Sequence, residues 1–349
     1  MGVPSQHIIL RRWPARQRVL RLITHLGAIA LLGRAWWYRR WLKGLLETLI
    51  SAVFAFRFLP FRREILRTAN GQEYSVWWPR KAVKAPERCW VLLPGGMSNG
   101  RDFYITSLGT SSAIAANEAW VVFHNPGQGG SKVRSLDDLK LGLTRTDCLS
   151  HFLEQLRAQF RSLVVVGFSA GGMAAMAQAQ KDDPIADAFV SVCTPDKIRL
   201  VFEAQARMWC RLDVFFSIWL HLCAQAAGTV SLVPFRSLPL PPTWWGYMKP
   251  FTEKVFEFST GKKRTFEEIE DEHFDGSLKR VPIASCLRIW CVDDPVVLCS
   301  TLARERFCHS EVWWETRGGH CGQFYWSRDC VQRLRDWVLK ATSSQVVKL

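Results

Sequence analysis

Short apolar runs separated by amphipathic stretches extend through most of the chain. The runs are rich in β-branched and aromatic residues, are bounded by turn-forming residues, and have the length of buried strands: Cys89–Leu93, Ala119–Phe123, Leu163–Val166, Ala188–Cys193, Leu287–Val292 and Val312–Glu315. Between runs the period changes to that of a helix, as in Asp137–Arg161, where Leu149, Phe152, Leu153 and Leu156 share one face. The alternation predicts an α/β protein with a mostly parallel twisted sheet flanked by helices.

Three segments depart from this alternation. Ile65–Trp78 is interrupted by Asn70-Gly71, a strong turn signal, and predicts two antiparallel edge strands. Residues 196–280 are helical, rich in phenylalanine and tryptophan, and broken by prolines at 239–242. This insertion predicts a helical lid, whose apolar side chains either bind acyl chains or only pack among themselves. Val331–Ala341 predicts a closing amphipathic helix before a polar tail at 341–349.

The run Leu163–Val166 leads into Gly167-Phe168-Ser169-Ala170-Gly171-Gly172, and strong helix formers follow. A serine at a strand-to-helix corner needs small neighbours, because the tight turn forces its backbone into a strained conformation. Gly167 and Gly171 supply them. We therefore interpret Ser169 as a nucleophile on an elbow, with its hydroxyl above the edge of the sheet.

A serine nucleophile needs a base and an orienting acid, and both candidates follow late strands. Of Asp293 and Asp294 we choose Asp294, because Pro295 restrains its backbone to extended geometry. His320 follows two glycines that allow its loop to turn back over the elbow. The chain order Ser169, Asp294, His320 is the order that this arrangement requires. His124 precedes the serine, so it is interpreted as structural or as lining the substrate site.

Backbone amides are the candidates for stabilising a developing oxyanion. The strand Cys89–Leu93 runs into Pro94-Gly95-Gly96, where N–H groups can face a ligand instead of a neighbouring strand. We assign the oxyanion hole to the N–H groups of Gly96 and of Ala170, the residue after the nucleophile. A plain turn is the alternative interpretation of the glycine loop.

The chain has a formal net charge of +15, of which +11 lies in residues 1–67. The remainder has the balance of an ordinary domain and carries no zinc-finger or RNA-binding pattern, so no nucleic-acid partner is expected. The apolar stretches Leu22–Gly33 and Gly44–Leu59 fall short of the roughly 20 residues that cross a bilayer. We interpret residues 1–62 as a basic, aromatic-rich membrane-associating segment. A mitochondrial-type transit segment and helices packed on the domain are the alternatives.

Eleven cysteines are scattered singly, without a Cys-x-x-Cys pair or a Cys/His spacing suited to zinc. They are expected to be reduced, mostly buried thiols in an intracellular protein. Cys321 adjoins His320 and is expected to be a small packed residue, not a second nucleophile.

The chain resembles the α/β-hydrolase superfamily, and more narrowly the AB hydrolase type-4 branch of membrane-associated hydrolase-domain proteins. The resemblance covers residues 63–340 and rests on the following motifs: Asn70-Gly71, Leu93-Pro94-Gly95 with Tyr104, Asn125 with Gly127, Gly167-Phe168-Ser169, Asp293-Asp294-Pro295 and Gly318-Gly319-His320. It implies the α/β-hydrolase fold, a triad acid at the second aspartate of the pair, an N-terminal membrane anchor, and hydrolysis of glycerolipid or similar acyl esters.

The motifs together predict a serine esterase or lipase that needs no metal or organic cofactor. Its expected partners are a lipid or acyl-ester substrate and a membrane surface, the latter contacted by residues 1–62. The expected location is intracellular and membrane-associated, at the endoplasmic reticulum or a mitochondrion. A catalytically silent scaffold or receptor on the same fold is the alternative from another class, and thioesterase or peptidase chemistry also stays open.

Overall fold

In the computed structural model, a single sheet organises the domain. The structure describes residues 39, 42–48, 59–80, 83, 85–96, 98, 100–111, 113–114, 117–133, 146–206, 249–250, 252–254, 256–257, 260–273, 285–298 and 310–343. Eight strands lie in the order β1-β2-β4-β3-β5-β6-β7-β8: β1 Phe61–Arg67, β2 Glu73–Pro79, β3 Arg88–Leu93, β4 Ala119–His124, β5 Ser162–Phe168, β6 Ala188–Val192, β7 Ser285–Cys291 and β8 Glu311–Glu315.

The strands from β4 to β8 in this order are parallel, and only β2 runs antiparallel to its two neighbours. The predicted mostly parallel sheet is confirmed. The hairpin at Asn70-Gly71 is also confirmed, with Thr68 and Gln72 paired across the turn. However, β2 is not an edge strand, since β4 covers its other side and only β1 is left at that edge.

Helices cover both faces of the sheet. In chain order they are α1 Phe103–Gly109, α2 Asp147–Arg157, α3 Ala170–Ala179, α4 Ile198–Ala206, α5 Phe266–His273, α6 Gln323–Trp326 and α7 Arg328–Ser343. Side chains of β5 alternate between the faces: Val164 and Val166 pack in the cluster of α1 and α7, whereas Leu163 and Val165 pack in that of α2 and α3. A strand buried on both faces explains the continuous apolar run in the sequence.

The predicted lid is described only in part, since residues 207–248 and 274–284 lie outside the described residues. Within it, α4 and α5 are helical, as predicted. The aromatic residues Phe202 and Phe256 are buried in a cluster with Ile269 and Trp290. For these two residues, packing within the protein accounts for the aromatic side chain.

A buried ion pair joins the start of the lid to β7, the second strand from one edge of the sheet. Arg288 Nη2 on β7 lies 2.6 Å from Asp196 Oδ1, and the two side chains are 0% and 2% exposed. The Arg288 guanidinium also lies over the Trp290 ring, at 4.5 Å from its centroid. Removal of one partner from such a pair leaves an uncompensated charge in a medium that solvates it poorly.

We expect Asp196→Ala to lower the free energy of unfolding by about 3–5 kcal/mol, because it leaves the Arg288 cation buried without its carboxylate. The matched control is Asp271→Ala. Asp271 pairs with Lys197 at 2.6 Å but is 65% exposed, so the loss there is about 1 kcal/mol or less. Urea unfolding of both variants measures the difference, and equal losses would contradict the role given to the buried pair.

Candidate active site

Ser169 stands at the corner between β5 and α3, with φ 50° and ψ −120°. Positive φ is rare outside glycine and costs about 1–3 kcal/mol, so packing must impose it. The packing is visible at Gly171, where an added Cβ would overlap the carbonyl oxygens of Leu93 and Pro94. The backbone of α3 therefore begins in direct contact with the end of β3, and Ser169 is held at the carboxyl edge of the sheet.

The glycine loop after β3 lies beside the serine. A Cβ on Gly95 would lie 3.3 Å from Ser169 Cβ, and one on Gly96 would lie 3.5 Å from Ala170 Cβ. The Gly95 N–H donates to the Tyr104 hydroxyl at 3.1 Å, which fixes the loop against α1. The structure therefore places Gly96 and Ala170, the two residues predicted for the oxyanion hole, next to each other. Their role in catalysis stays a prediction.

Asp294 and His320 are in contact. His320 Nδ1 lies 2.9 Å from Asp294 Oδ2 and 3.1 Å from Oδ1. Asp294 Oδ1 also accepts hydrogen bonds from the Val296 and Val297 amides, at 2.8 and 2.9 Å. These amides fix the carboxylate, and the carboxylate fixes the imidazole with Nδ1 toward the acid.

Asp293 contacts a different group from Asp294. Its Oδ1 accepts from the Gly319 N–H at 3.1 Å, one residue before His320. Burial, together with the neighbouring Glu47 carboxylate, raises the pKa of Asp293 to about 6. The two adjacent aspartates thus contact different groups, Asp294 the imidazole and Asp293 the backbone of the histidine loop.

The electrostatics of the acid and base follow from burial and proximity. Burial raises the pKa of Asp294 to about 7, against the effect of the imidazole charge. Burial alone would lower the pKa of His320, but the charge of Asp294 and its hydrogen bond outweigh it, so the pKa of His320 is above its ordinary value. The base thus becomes neutral only at a higher pH than a free histidine.

Ser169 and His320 lie near one another without a direct hydrogen bond among the side-chain contacts of the described residues. The Ser169 N–H and the thiol of Cys321, the residue after His320, both donate to the Val192 carbonyl, at 2.8 and 3.8 Å. The backbone of Ser169 and the residue after His320 therefore contact the same carbonyl at the end of β6. Hydrogen bonds of catalytic serine–histidine pairs are often long in free enzymes and tighten when substrate binds.

Burial explains the packing and the shifted pKa values of His124 and Cys321. His124 is fully buried, packs on Trp77 with ring centroids 4.7 Å apart, and has its pKa lowered to about 3 by burial. It is a neutral core residue, in keeping with the structural interpretation. The seven cysteines within the described ranges are buried, as predicted, and burial raises the pKa of Cys321 well above its ordinary value.

The sequence did not indicate one cluster of side chains at the site. Cys193, His320 and Cys321 each place a possible ligand atom within 4.8 Å of the others, a cluster that the structure shows in no other described part of the chain. Thiolate and imidazole are ligands that zinc prefers. The cluster draws on residues more than 120 positions apart, which is why no local spacing indicated it. The hydrolytic chemistry of a Ser-His-Asp site does not use the thiols.

The site combines a serine on a strained elbow, an imidazole held by a carboxylate, and two glycine-containing loops at one edge of a parallel sheet. This combination defines a hydrolase of the α/β class. Residues 90–333, more than two thirds of the chain, match the sequence profile of the alpha/beta hydrolase family. The chain belongs to this family. No curated protein sequence gives a significant match.

Solved structures agree with the fold. A candidate aryl esterase from Burkholderia cenocepacia superposes with a TM-score of 0.52 and 15% identity, over 81% of this chain and 100% of that one. DcsB, solved in complex with an analogue of its substrate, gives a TM-score of 0.51 and 14% identity, over 81% of this chain and 100% of that one. At these identities the likeness concerns the fold alone.

Asp294→Asn is expected to lower kcat by about 10⁴-fold, because it loses the carboxylate that fixes the imidazole tautomer and charge. Without that negative charge the pKa of His320 falls, so the acidic limb of the kcat/KM profile moves to lower pH from its wild-type position above about 6.5. The pH dependence of the residual hydrolytic activity measures both effects.

The control is Asp293→Asn, which keeps an acceptor for the Gly319 N–H. It leaves the acidic limb near its wild-type position. A shift of that limb in Asp293→Asn, with none in Asp294→Asn, would assign the acid to the other aspartate.

Proposed function

We propose that the protein is a serine hydrolase that cleaves carboxylic esters. The observation that carries the proposal is the contact of Asp294 with His320 Nδ1 at 2.9 Å, on a loop whose next residue, Cys321, shares the Val192 carbonyl with the N–H of the strained Ser169. This contact leaves Nε2 as the free nitrogen of the imidazole, which is the nitrogen that a general base of this type uses.

The proposed reaction has two steps, acylation of Ser169 and hydrolysis of the acyl-enzyme. His320 Nε2 takes the proton of Ser169 Oγ as the oxygen attacks the ester carbonyl, and the N–H groups of Ala170 and Gly96 receive the oxyanion. The imidazolium protonates the leaving alcohol as the acyl-enzyme forms. A water molecule gives its proton to His320 and attacks the acyl carbon, which releases the acid and restores Ser169.

For the substrate we propose a lipid or other acyl ester, as the resemblance to the AB hydrolase type-4 branch implies. The support is the association with a membrane that we propose for the N-terminal segment. Residues 1–67 carry +11 of the net charge, which favours anionic lipid surfaces. Leu42 and Leu46, four residues apart on a helix, are 58% and 55% exposed, whereas Gly44 and Glu47 face the domain.

Residues 1–38 and 49–58 lie outside the described residues, so most of this segment enters the proposal by its sequence alone. Among the helices that the structure describes, none combines the length and the apolar character that a bilayer span requires. Because the apolar stretches Leu22–Gly33 and Gly44–Leu59 are shorter than a bilayer span requires, we propose that the segment lies on the membrane surface.

Ser169→Ala is expected to lower turnover of a soluble ester such as p-nitrophenyl butyrate by about 10⁶-fold, because the nucleophile is lost. It also abolishes labelling by a fluorophosphonate probe. The matched control is Ser162→Ala at the opposite end of β5, where the hydroxyl is buried and has no hydrogen-bond partner among the described residues. Folded wild-type protein that takes no label at Ser169 would favour the silent scaffold.

The surface proposal is tested with the full chain and phosphatidylserine-containing vesicles. Leu42→Asp with Leu46→Asp is expected to reduce co-sedimentation several-fold, since the charges oppose insertion of the exposed face. Leu339→Asp, at an exposed leucine of α7, is the control and retains wild-type binding. Co-sedimentation that is unchanged both by the leucine substitutions and by added salt would contradict the proposal.

A further inference from the structure

The helical residues 42–48, here called the N-terminal helix, lie directly against the two loops that carry Asp294 and His320. A Cβ added to Gly44 would overlap the carbonyl group of Asp293, and one added to Gly319 would overlap the Gly44 carbonyl and the Thr48 hydroxyl. The Trp326 indole donates to the Glu47 carbonyl at 3.4 Å. Part of the segment assigned to the membrane is thus packed on the candidate active site.

Three consecutive backbone amides of the histidine loop donate to side chains from outside the loop. The Gly318 N–H donates to Glu47 Oε2 at 2.8 Å, and the His320 N–H donates to Thr48 Oγ1 at 2.8 Å. The Gly319 N–H between them donates to Asp293. Two of these three acceptors therefore belong to the N-terminal helix.

The acceptors are themselves held in place. The Thr48 hydroxyl donates back to the Gly44 carbonyl at 2.8 Å, which directs its lone pairs toward the loop. Glu47 is 5% exposed, and its Oε1 lies 3.1 Å from Arg317 Nε and 3.7 Å from Lys43 Nζ. A buried carboxylate with cationic partners and an amide donor is a fixed element of structure, because its loss would leave charged and polar groups unpaired.

The histidine loop has little stiffness of its own. Gly318 and Gly319 take φ values of 134° and 57°, which glycine adopts at low cost but does not enforce. Asp294 fixes the imidazole ring at Nδ1, but the position of the ring also depends on the backbone of residue 320. A displacement of about 1 Å at a catalytic group can cost about 10²-fold in rate.

We propose that Glu47 and Thr48 are positioning residues for His320. The N-terminal helix then supports the active site by holding the backbone of the histidine loop. The inference rests on the proposed triad. It assigns to a segment outside the α/β core the task of holding the catalytic base at the distance from Ser169 that proton transfer requires.

The test is Thr48→Val in the full chain, which preserves shape and removes the acceptor of the His320 N–H. With soluble p-nitrophenyl butyrate and no membrane, kcat is expected to fall by about 10- to 100-fold with KM within about twofold, because substrate binding is untouched and the base is displaced. Thr48→Ser, which keeps the hydroxyl, restores kcat to within about threefold of wild type. Glu47→Gln is expected to lower kcat in the same way, because a single amide oxygen cannot accept from both the Gly318 N–H and Arg317, as the two carboxylate oxygens do.

The matched control is Thr68→Val at the turn between β1 and β2. The Thr68 hydroxyl likewise accepts from a backbone amide, that of Gln72 at 3.2 Å, but at the far edge of the sheet. It retains wild-type kcat. All variants are measured below their own unfolding temperatures, so that loss of folded protein does not count as loss of kcat.

A second measurement separates this inference from the proposed function. In protein labelled with ¹³C at histidine Cε1, the His320 signal, identified by its absence in His320→Gln, reports the pKa of the imidazole. In Thr48→Val that pKa is expected to move toward its ordinary value as the contact with Asp294 loosens. Wild-type protein that neither turns over esters nor reacts at Ser169, with the titration still shifted in Thr48→Val, would reject the function and retain the positioning role. Folded Thr48→Val and Glu47→Gln with wild-type kcat and wild-type titration would overturn the inference.

Discussion

The close approach of α3 to the end of β3 is the contact on which the site depends. It leaves no room for a side chain at Gly171, and it holds Ser169 in a conformation that an isolated chain rarely adopts. Cys193 and Cys321 also have positive φ, so three of the four such non-glycine residues in the described ranges lie at this edge. Strain concentrated in one place must be imposed by well-packed surroundings, which the fully buried β5 and its covering helices provide.

Several charged groups are buried at the same site. Asp293, Asp294 and Glu47 are all nearly inaccessible to solvent, and each has polar partners that the chain supplies from separate elements. The amides of Val296 and Val297 hold Asp294, and the histidine loop and Arg317 hold Asp293 and Glu47. Each carboxylate thus accepts at least one hydrogen bond from a backbone amide, which offsets part of the cost of burying both groups.

The N-terminal helix changes how the domain organisation is understood. The proposal of a membrane-associating segment concerns its outward face, where Leu42 and Leu46 are exposed. Its inward face, through Glu47 and Thr48, contacts the histidine loop. One short segment can serve both surfaces, since the opposite faces of a helix contact different surroundings. A truncation that removes it would therefore disturb the candidate active site as well as any anchor.

The sequence by itself determined the elements that depend on local pattern: the strand runs, the hairpin at Asn70-Gly71, the amphipathic helices, and the glycine-flanked serine of an elbow. It also indicated Asp294 and His320, through their places after late strands and their order along the chain. Only the tertiary structure decided that Asp293 holds the Gly319 amide, that Cys193 lies beside Cys321, and that Glu47 and Thr48 reach the histidine loop. These contacts join residues about 26 to 272 positions apart, and no periodicity or local spacing records them, because they arise only when separate elements pack at one edge of the sheet.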